Sequence, residues 1–207
     1  MVAGAVFVPP TAEALIVDPS EVGLPLRAEA LFGRACPLEL ELGVGKGRFA
    51  LAWAQEHPDL GLLGVERARK YLDLAALRAA RLGLANLRLV HTTAEDLLFR
   101  CLAEGSIAAV HVYFPDPWPK KRHHKRRFFR PDNIARLGAV MAPGALLRVK
   151  TDHAEYAGII SQLVSASGLF QAVPADEVFA PIPPTHFELK YQAQGRTVYR
   201  FAWQRRG

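Results

Sequence analysis

From Pro37 onward, short apolar runs alternate with longer amphipathic stretches. This alternation is typical of βαβ units, in which buried parallel strands are joined by helices that cover the sheet. It predicts an α/β fold with a doubly wound, Rossmann-like, mostly parallel sheet and helices on both faces. Because 207 residues suffice for one buried core, we expect a single domain over residues 37–207, after a lead-in over residues 1–36 that shows no sustained period.

The apolar runs predict strands and the amphipathic stretches predict helices. The predicted strands are residues 38–42, 62–66, 87–91, 107–114 and 145–151, with a final strand at 196–203. The predicted helices are residues 47–56, 68–82, 94–102, 131–141 and 154–167. Residues 174–184 contain four prolines, which interrupt regular structure, so this stretch is predicted to be a loop.

Basic side chains are concentrated in one segment, residues 120–130, which we call the basic arm. It contains seven Lys or Arg residues and no acid, which leaves 19 of the 26 basic residues to balance 20 acidic residues elsewhere. Clustered cations release bound counterions when they contact phosphates, so the arm predicts binding to a polyanion such as RNA. A merely solvated charged surface normally mixes both signs.

Cysteine usage and hydropathy favour a cytoplasmic protein without a metal site. The two cysteines are far apart and in no metal-binding or disulfide spacing. His123 and His124 are unsuited to share one metal ion, because they are adjacent. Residues 1–8 are apolar but lack a basic leader and are followed by two prolines, so we expect neither a signal peptide nor a membrane span.

The first predicted strand ends in a turn that contains Gly43, Gly45 and Gly47. Glycine permits a tight turn and a close approach of the backbone to a ligand. About twenty residues further on, Glu66 ends the second predicted strand, where an acidic side chain can accept hydrogen bonds from ribose hydroxyls. The combination predicts a nucleoside site, although ordinary turn chemistry is an alternative for the glycines alone.

Glu41 lies in the first predicted strand, where both faces of a parallel sheet are covered and a carboxylate needs a partner. S-adenosylmethionine offers a sulfonium cation and an amino group and carries no phosphate. Two acids, Glu41 and Glu66, therefore suit this cofactor better than they suit the pyrophosphate of NAD. An ion pair of Glu41 with Lys46 or Arg48 is the structural alternative.

Two further polar residues follow predicted strands and fit helix capping as well as ligand binding. Thr93 precedes a helix with an acidic first turn, so it is expected either to cap that helix or to contact the cofactor. Asp152 follows the fifth predicted strand and is equally compatible with an N-cap and with a ligand contact.

Asp116 is the strongest candidate for a catalytic residue. It follows the fourth predicted strand within Pro-Asp-Pro-Trp-Pro, residues 115–119. Three prolines restrict this backbone, and Pro117 also excludes the helical region for Asp116. The loop therefore holds a carboxylate rigidly, as a reacting group requires. An ordinary proline-rich turn would explain neither Trp118 nor the basic arm.

Together these motifs resemble the bacterial tRNA (guanine-N7)-methyltransferases, class I S-adenosylmethionine-dependent enzymes that modify a guanine in the tRNA variable loop. The resemblance covers the chain from about Leu38 onward. The basic arm after Pro-Asp-Pro-Trp is its most diagnostic part. The motifs occur in the family's order: Glu41 with Gly43, Gly45 and Gly47; residues 115–119 running into the arm; Thr151 with Asp152; Thr185 with Phe187 and Glu188.

The resemblance implies a class I methyltransferase fold with a final antiparallel strand, and a role for individual residues. The S-adenosylmethionine site would comprise Glu41, Gly43, Gly45, Glu66, Thr93 and Asp116. The guanine would be contacted by Lys120, Asp152, Thr185, His186, Phe187 and Glu188. The tRNA would lie on Arg122, His123, His124, Lys125, Arg126 and Arg127. The expected partner is tRNA, with no membrane, and the chain is either a monomer or a homodimer.

The chemistry of the implied reaction explains why a carboxylate is useful. Guanine N7 has an in-plane lone pair and no proton, so its attack on a sulfonium methyl needs no base. The product guanine is cationic, and a fixed carboxylate such as Asp116 or Asp152 would stabilise the developing charge. Alignment of the reactants supplies the rest of the rate enhancement.

Two other functions remain open at this point. Methyltransferases that act on an exocyclic base amine carry Asp or Asn, two prolines and an aromatic residue after the same strand, whereas Trp118 here directly follows Pro117. The second alternative is a non-catalytic RNA-binding domain with the same sheet. The presence of Glu41, the glycines and Asp116 argues against it.

Overall fold

The computed structural model describes residues 9–207, which form a seven-stranded sheet. The strands are β1 (Leu38–Leu42), β2 (Gly61–Val65), β3 (Leu87–Val90), β4 (Ile107–Tyr113), β5 (Met141–Thr151), β6 (Phe170–Ala172) and β7 (Tyr199–Arg205). Their order is β3-β2-β1-β4-β5-β7-β6, with β1 to β5 parallel and β7 antiparallel to both β5 and β6. The predicted mostly parallel, doubly wound sheet with a final antiparallel strand is confirmed.

Helices precede and connect these strands. They are α1 (Ala12–Leu15), α2 (Pro19–Val22), α3 (Ala28–Phe32), α4 (Arg48–Glu56), α5 (Arg69–Arg81), α6 (Ala94–Asp96), α7 (Pro131–Val140), α8 (Ala154–Ala166), α9 (Ala175–Phe179) and α10 (His186–Ala193). A π-helical turn at Leu97–Cys101 extends α6, and a 3₁₀ helix at Lys121–Arg126 lies in the basic arm.

Two clusters of buried side chains flank the sheet. Successive residues of a strand point to opposite faces, so Leu62 and Leu63 of β2 enter different clusters although both are fully buried. Leu63 packs in the cluster that contains Ile134 of α7 and Ile160 of α8. Leu62 packs in the cluster that contains residues of α4 and α5, such as Phe49. This two-sided burial explains why the parallel strands are continuous apolar runs.

The predicted parallel strands agree with the structure to within a few residues, with β5 the largest difference. The sequence predicts a start at residue 145, whereas β5 begins at Met141. A register shift in the pairing with β4 accounts for the extra length: Met141 pairs with Ile107, but Leu146 already pairs with Ala109. The final strand is also displaced, from the predicted residues 196–203 to Tyr199–Arg205.

The prediction of a loop over residues 174–184 is wrong in part, because α9 forms between its prolines. Pro174 occupies the N-cap position of this helix, and Pro181 follows its end. Proline is tolerated at the N-cap because a helix N-terminus has unused N–H groups, and it is common just after a helix because it cannot continue one. The short β6 and α10 were not predicted either.

The lead-in contributes to the core although its sequence shows no period. Leu15 and Leu26 are fully buried, and isolated bridges join Ile16 to Leu89 and Leu26 to Leu102. Residues 1–8, where neither a signal peptide nor a membrane span is expected, lie outside the described residues. Within residues 9–207, no helix combines the length and the apolar character that crossing a bilayer requires.

Candidate active site

A cavity of about 770 Å³ opens at the carboxyl edge of the sheet, where the strand order reverses between β1 and β4. Doubly wound sheets bind ligands at this position, and the volume is in the range of small-molecule sites. The cavity brings together every predicted cofactor residue and part of the predicted substrate and RNA sets. They are Glu41, Gly43, Gly45, Glu66, Thr93, Asp116, Arg126, Thr185, His186 and Phe187.

Glu41 is a buried carboxyl on the cavity wall. It is 4% exposed, and its Oε2 atom has no hydrogen-bond partner in the described chain. Burial raises its pKa well above the ordinary value, and the nearby Glu66 carboxylate raises it further. Within residues 9–207 neither Lys46 nor Arg48 forms the ion pair that was the structural alternative; Arg48 donates to a backbone carbonyl instead. An unpartnered buried carboxyl fits a cationic ligand.

The glycine turn orients Glu66 and leaves its own backbone accessible. Glu66 Oε2 accepts a hydrogen bond of 2.8 Å from the Gly45 amide, and Oε1 accepts one of 2.8 Å from the Ala68 amide. Each carboxylate oxygen retains a lone pair for a ligand hydroxyl. Gly43 and Gly45 have φ angles of 87° and 55°, and a Cβ at either would meet no atom within 4 Å. The turn therefore fits a ligand that approaches the backbone closely.

Thr93 has the capping function that the sequence left open. Its hydroxyl accepts from the Asp96 amide at 3.1 Å and donates to Asp96 Oδ2 at 3.1 Å, so it caps α6. Thr93 also lines the cavity. Because its hydroxyl is already engaged, a ligand contact at this position would use the backbone or the methyl group.

Asp116 lies on a strained loop between β4 and the basic arm. Phe114 and Trp118 flank it with φ angles of 54° and 42°, values that bulky side chains rarely adopt and that cost roughly 1–3 kcal/mol each. The Phe114 amide donates to the Lys150 carbonyl at 2.7 Å, which ties the loop to β5. Asp116 accepts a hydrogen bond of 3.2 Å from Arg67 Nη2 across the cavity mouth. These contacts restrain the backbone beside Asp116, and its role as a rigidly held reacting group stays a prediction.

Comparisons with known proteins identify the family. Residues 35–201 match the model of a family described as "Putative methyltransferase". The tRNA (guanine-N(7)-)-methyltransferase of Mycolicibacterium paratuberculosis is 38% identical over 192 residues, covering 91% of this chain and 74% of the relative. The enzyme of the same name from Nocardia farcinica is 39% identical over 191 residues, covering 86% and 71%. The chain belongs to the tRNA (guanine-N7)-methyltransferase family.

The fold is shared with more distant proteins. The crystal structure of the 16S rRNA methyltransferase KamB superposes with a TM-score of 0.63 at 17% identity, covering 86% of this chain and 92% of that one. At this identity the likeness concerns the fold alone. It agrees with the class I methyltransferase sheet that the sequence predicted.

The residues predicted to contact the guanine divide into two groups. Thr185, His186 and Phe187 line the cavity, whereas Lys120, Asp152 and Glu188 do not. Asp152 forms a salt bridge with Arg196. The N-cap interpretation of Asp152 is wrong, because His153 is the N-cap of α8: its side chain accepts a hydrogen bond from the Tyr156 amide.

Glu188 is buried and holds two cations. Lys150 Nζ lies 2.6 Å from Glu188 Oε2, and Arg200 Nη2 lies 2.8 Å from Oε1. Burial opposes ionisation of Glu188, but hydrogen bonds from both cations outweigh it and keep its pKa below the ordinary value. Glu188 and Thr185 also form a reciprocal capping box that starts α10. Thr-x-x-Glu is the sequence signature of this motif and could have predicted α10.

The basic arm divides between the surface and the interior. Arg122, Lys125 and Arg126 are exposed, and His123 and His124 are half-buried. Arg127 differs from them. It is 3% exposed and its guanidinium is paired within the protein, so the expectation that this side chain faces tRNA needs correction. In this conformation burial removes it from a surface that a phosphate could reach.

Sequence analysis missed several residues of the cavity wall. Arg67 and Tyr71 follow β2, Phe114 follows β4, and Lys190 lies in α10. Phe114, Phe187 and Tyr191 form an aromatic cluster with ring centroids 5.5 to 6.0 Å apart. Arg67 directly follows Glu66 in the sequence. Because residues at strand ends face this edge of the sheet, its place in the cavity wall could have been predicted.

Proposed function

We propose that this chain transfers the methyl group of S-adenosyl-L-methionine to N7 of guanine 46 in the variable loop of tRNA, in the cytoplasm. The observation that carries the proposal is Glu41, a buried carboxyl without a hydrogen-bond partner in the described chain, on a cavity that also exposes Asp116 and Arg126. One cavity therefore combines carboxyl groups suited to a cationic cofactor with Arg126 of the basic arm, whose exposed cations would bind phosphates.

Individual residues would divide the work as follows. Glu41 would compensate positive charge on the cofactor, Glu66 would accept its ribose hydroxyls, and the backbone at Gly43 and Gly45 would lie against it. The backbone of Thr93 would form part of the wall of the site. S-adenosylmethionine supplies an electrophilic methyl group on a cationic sulfur.

Asp116 would act on the base. Guanine N7 needs no base to attack, but it becomes positively charged as the bond to carbon forms. A carboxylate held by a strained loop does not have to reorganise as that charge develops, so its interaction favours the transition state over the ground state. The guanine would be held by Lys120, Asp152 and residues 185–188, and the tRNA phosphates by the exposed part of the basic arm.

The test is transfer of labelled methyl to unmodified tRNA, followed by nucleoside analysis. We expect 7-methylguanosine in wild-type reactions and none in a tRNA with adenine at position 46. Asp116→Ala should lower kcat by about 100-fold or more. The control is Asp59, an exposed acid before β2 at the opposite edge of the sheet. Asp59→Ala should leave kcat unchanged. A methylated exocyclic amine would support the rival methyltransferase, and no product at all would support a non-catalytic RNA-binding domain.

A further inference from the structure

Arg126 and Arg127 are adjacent in the basic arm but face different surroundings. Arg126 is exposed, lines the cavity and lies over the Trp118 ring, with 4.9 Å from its guanidinium carbon to the ring centroid. Arg127 points into the protein. Sequence alone treats them as equivalent phosphate contacts, whereas the structure separates them.

Arg127 binds the backbone of the strained loop through its side chain. Its Nε atom donates to the carbonyl oxygen of Pro117 at 2.7 Å. Pro117 lies between Asp116 and Trp118, so this bond restrains the residue between the carboxylate and one of the two strained positions. Strained backbone persists only where surrounding contacts over-determine it, and the bond from Arg127 is such a contact.

The other end of Arg127 is fixed to α8. Its Nη1 and Nη2 atoms donate to the two oxygens of Glu155 at 3.1 and 2.7 Å, a bidentate geometry that lysine cannot reproduce. The guanidinium carbon also lies 4.8 Å from the ring centroid of Tyr156, which is fully buried. The hydrogen bond from Arg127 lowers the pKa of Glu155, which favours the ionised carboxylate.

We propose that Arg127 is a positioning residue: it binds Pro117 and Glu155 at once and thereby fixes the loop that presents Asp116 to the base. This proposal rests on the function proposed above for Asp116. Arg127 contributes little to the salt dependence of tRNA binding, because Glu155 neutralises its charge and three of its five N–H donors are engaged within the protein. Its replacement lowers kcat, because a small misplacement of Asp116 weakens an interaction made in the transition state.

The experiment compares single variants in three measurements: the rate of tRNA methylation, the salt dependence of tRNA binding, and amide hydrogen exchange over residues 113–122. Arg127→Gln should lower kcat by about 10- to 100-fold with less than about a threefold change in KM for tRNA. Its salt slope should equal the wild-type slope, and exchange in the loop should be faster. Lys125→Gln should instead lower the slope by about 0.7 to 0.9.

Two further variants separate geometry from charge and from misfolding. Arg127→Lys keeps the cation but loses the bidentate pair, so it should keep the slope and lose kcat. The Glu155 side chain is about half exposed, and Glu155→Gln breaks its pair with Arg127 without removing a cation. This variant should lose less kcat than Arg127→Gln and show equally fast amide exchange in the loop. Arg81→Gln, at the far end of α5, is the control for net charge.

The outcomes distinguish this proposal from the proposed function. A reduced salt slope for Arg127→Gln, with kcat and loop exchange unchanged, would make Arg127 a phosphate contact and overturn the proposal. If wild-type protein produces no 7-methylguanosine, the proposed function fails, and the hydrogen exchange still decides whether Arg127 restrains the loop. Faster exchange in both Arg127→Gln and Glu155→Gln supports the positioning role, and unchanged exchange in both refutes it.

Discussion

Arg67 Nη2 lies 3.2 Å from Asp116 Oδ2 across the mouth of the cavity, and both side chains are more than half exposed. Exposed ion pairs of this kind contribute only about 0 to 1 kcal/mol, because water and salt screen them. The pair can therefore separate at little cost when a substrate covers the mouth. The strained loop and Arg127, rather than Arg67, then remain to orient Asp116.

We accordingly predict that Arg67→Gln has a small effect. The free energy of unfolding and the activation free energy should each change by less than about 0.5 kcal/mol, which is roughly twofold in kcat. Urea unfolding and methylation of tRNA at saturating cofactor check both values. A tenfold loss of kcat would instead show that the ion pair positions Asp116.

The raised pKa of Glu41 predicts that the affinity for the cofactor depends on pH. In the free protein its raised pKa keeps the carboxyl protonated to higher pH than usual, whereas a bound cation favours the ionised form. Binding should therefore release a proton, and affinity should rise with pH, by at most about tenfold per unit, until Glu41 ionises in the free protein. Calorimetry in buffers of different ionisation enthalpy measures this proton. Glu41→Gln should bind more weakly and release none; equal proton release by both proteins would exclude Glu41 as its source.

The parallel part of the sheet was predictable because strands that are buried on both faces are continuous apolar runs in the sequence. The residues of β1 are those predicted, β2 is displaced by one residue, and β3 and β4 each end one residue earlier than predicted. By contrast, polar and apolar residues alternate along α10, so it has no single apolar face, and β6 has only three residues; neither produces the apolar period of its element type. Local capping chemistry at Thr185 and Glu188 was the signal that periodicity could not supply.

For the site, the sequence identified residue types at strand ends but not which of their atoms were already engaged. Glu41 and Glu188 are both buried acids, yet Glu41 lacks a hydrogen-bond partner for Oε2 in the described chain and Glu188 binds Lys150 and Arg200. The difference arises because β5 and β7 bring Lys150 and Arg200, which are 38 and 12 residues from Glu188 along the chain, to the Glu188 carboxylate. Pairing between distant elements is a property of the fold and is not readable from local sequence.

Glu188→Gln should reveal whether this carboxylate is structural. Breaking a buried ion pair leaves Lys150, which is 2% exposed, without compensation, at a cost of about 3–5 kcal/mol. Denaturant unfolding should show that loss, with no comparable change for Glu177→Gln, an exposed acid on α9. Unchanged stability with a raised KM for tRNA would identify Glu188 as a direct substrate contact.

His111 should make the fold sensitive to acid. It is fully buried, with Nε2 2.8 Å from Glu39 Oε2 and Nδ1 2.8 Å from the Tyr113 hydroxyl. Burial lowers its pKa from 6.5 to about 4, so its contribution to stability is present above pH 6.5 and is lost as the pH falls toward 4.

The corresponding measurement is urea unfolding at pH 7 and pH 5. The wild-type protein should lose about 2 kcal/mol more than His111→Gln over this interval. The lowered pKa of Glu39 has the same sign: burial opposes its ionisation, but hydrogen bonds from His111 and Trp53 and the nearby charges of His111 and Arg148 together outweigh burial. An identical pH dependence in both proteins would show that His111 does not titrate in the unfolding reaction.

The salt dependence of tRNA binding counts the cations of the arm that contact phosphates. From sequence, neutralising Lys125, Arg126 and Arg127 together is expected to reduce the slope by up to about three units, since each phosphate contact contributes about one. Because Arg127 is buried against Glu155, the structure predicts a reduction of about two units at most. The double variant of Lys125 and Arg126 should therefore have the same slope as the triple variant. A further decrease in the triple variant would mean that Arg127 leaves Glu155 and binds a phosphate when tRNA is present.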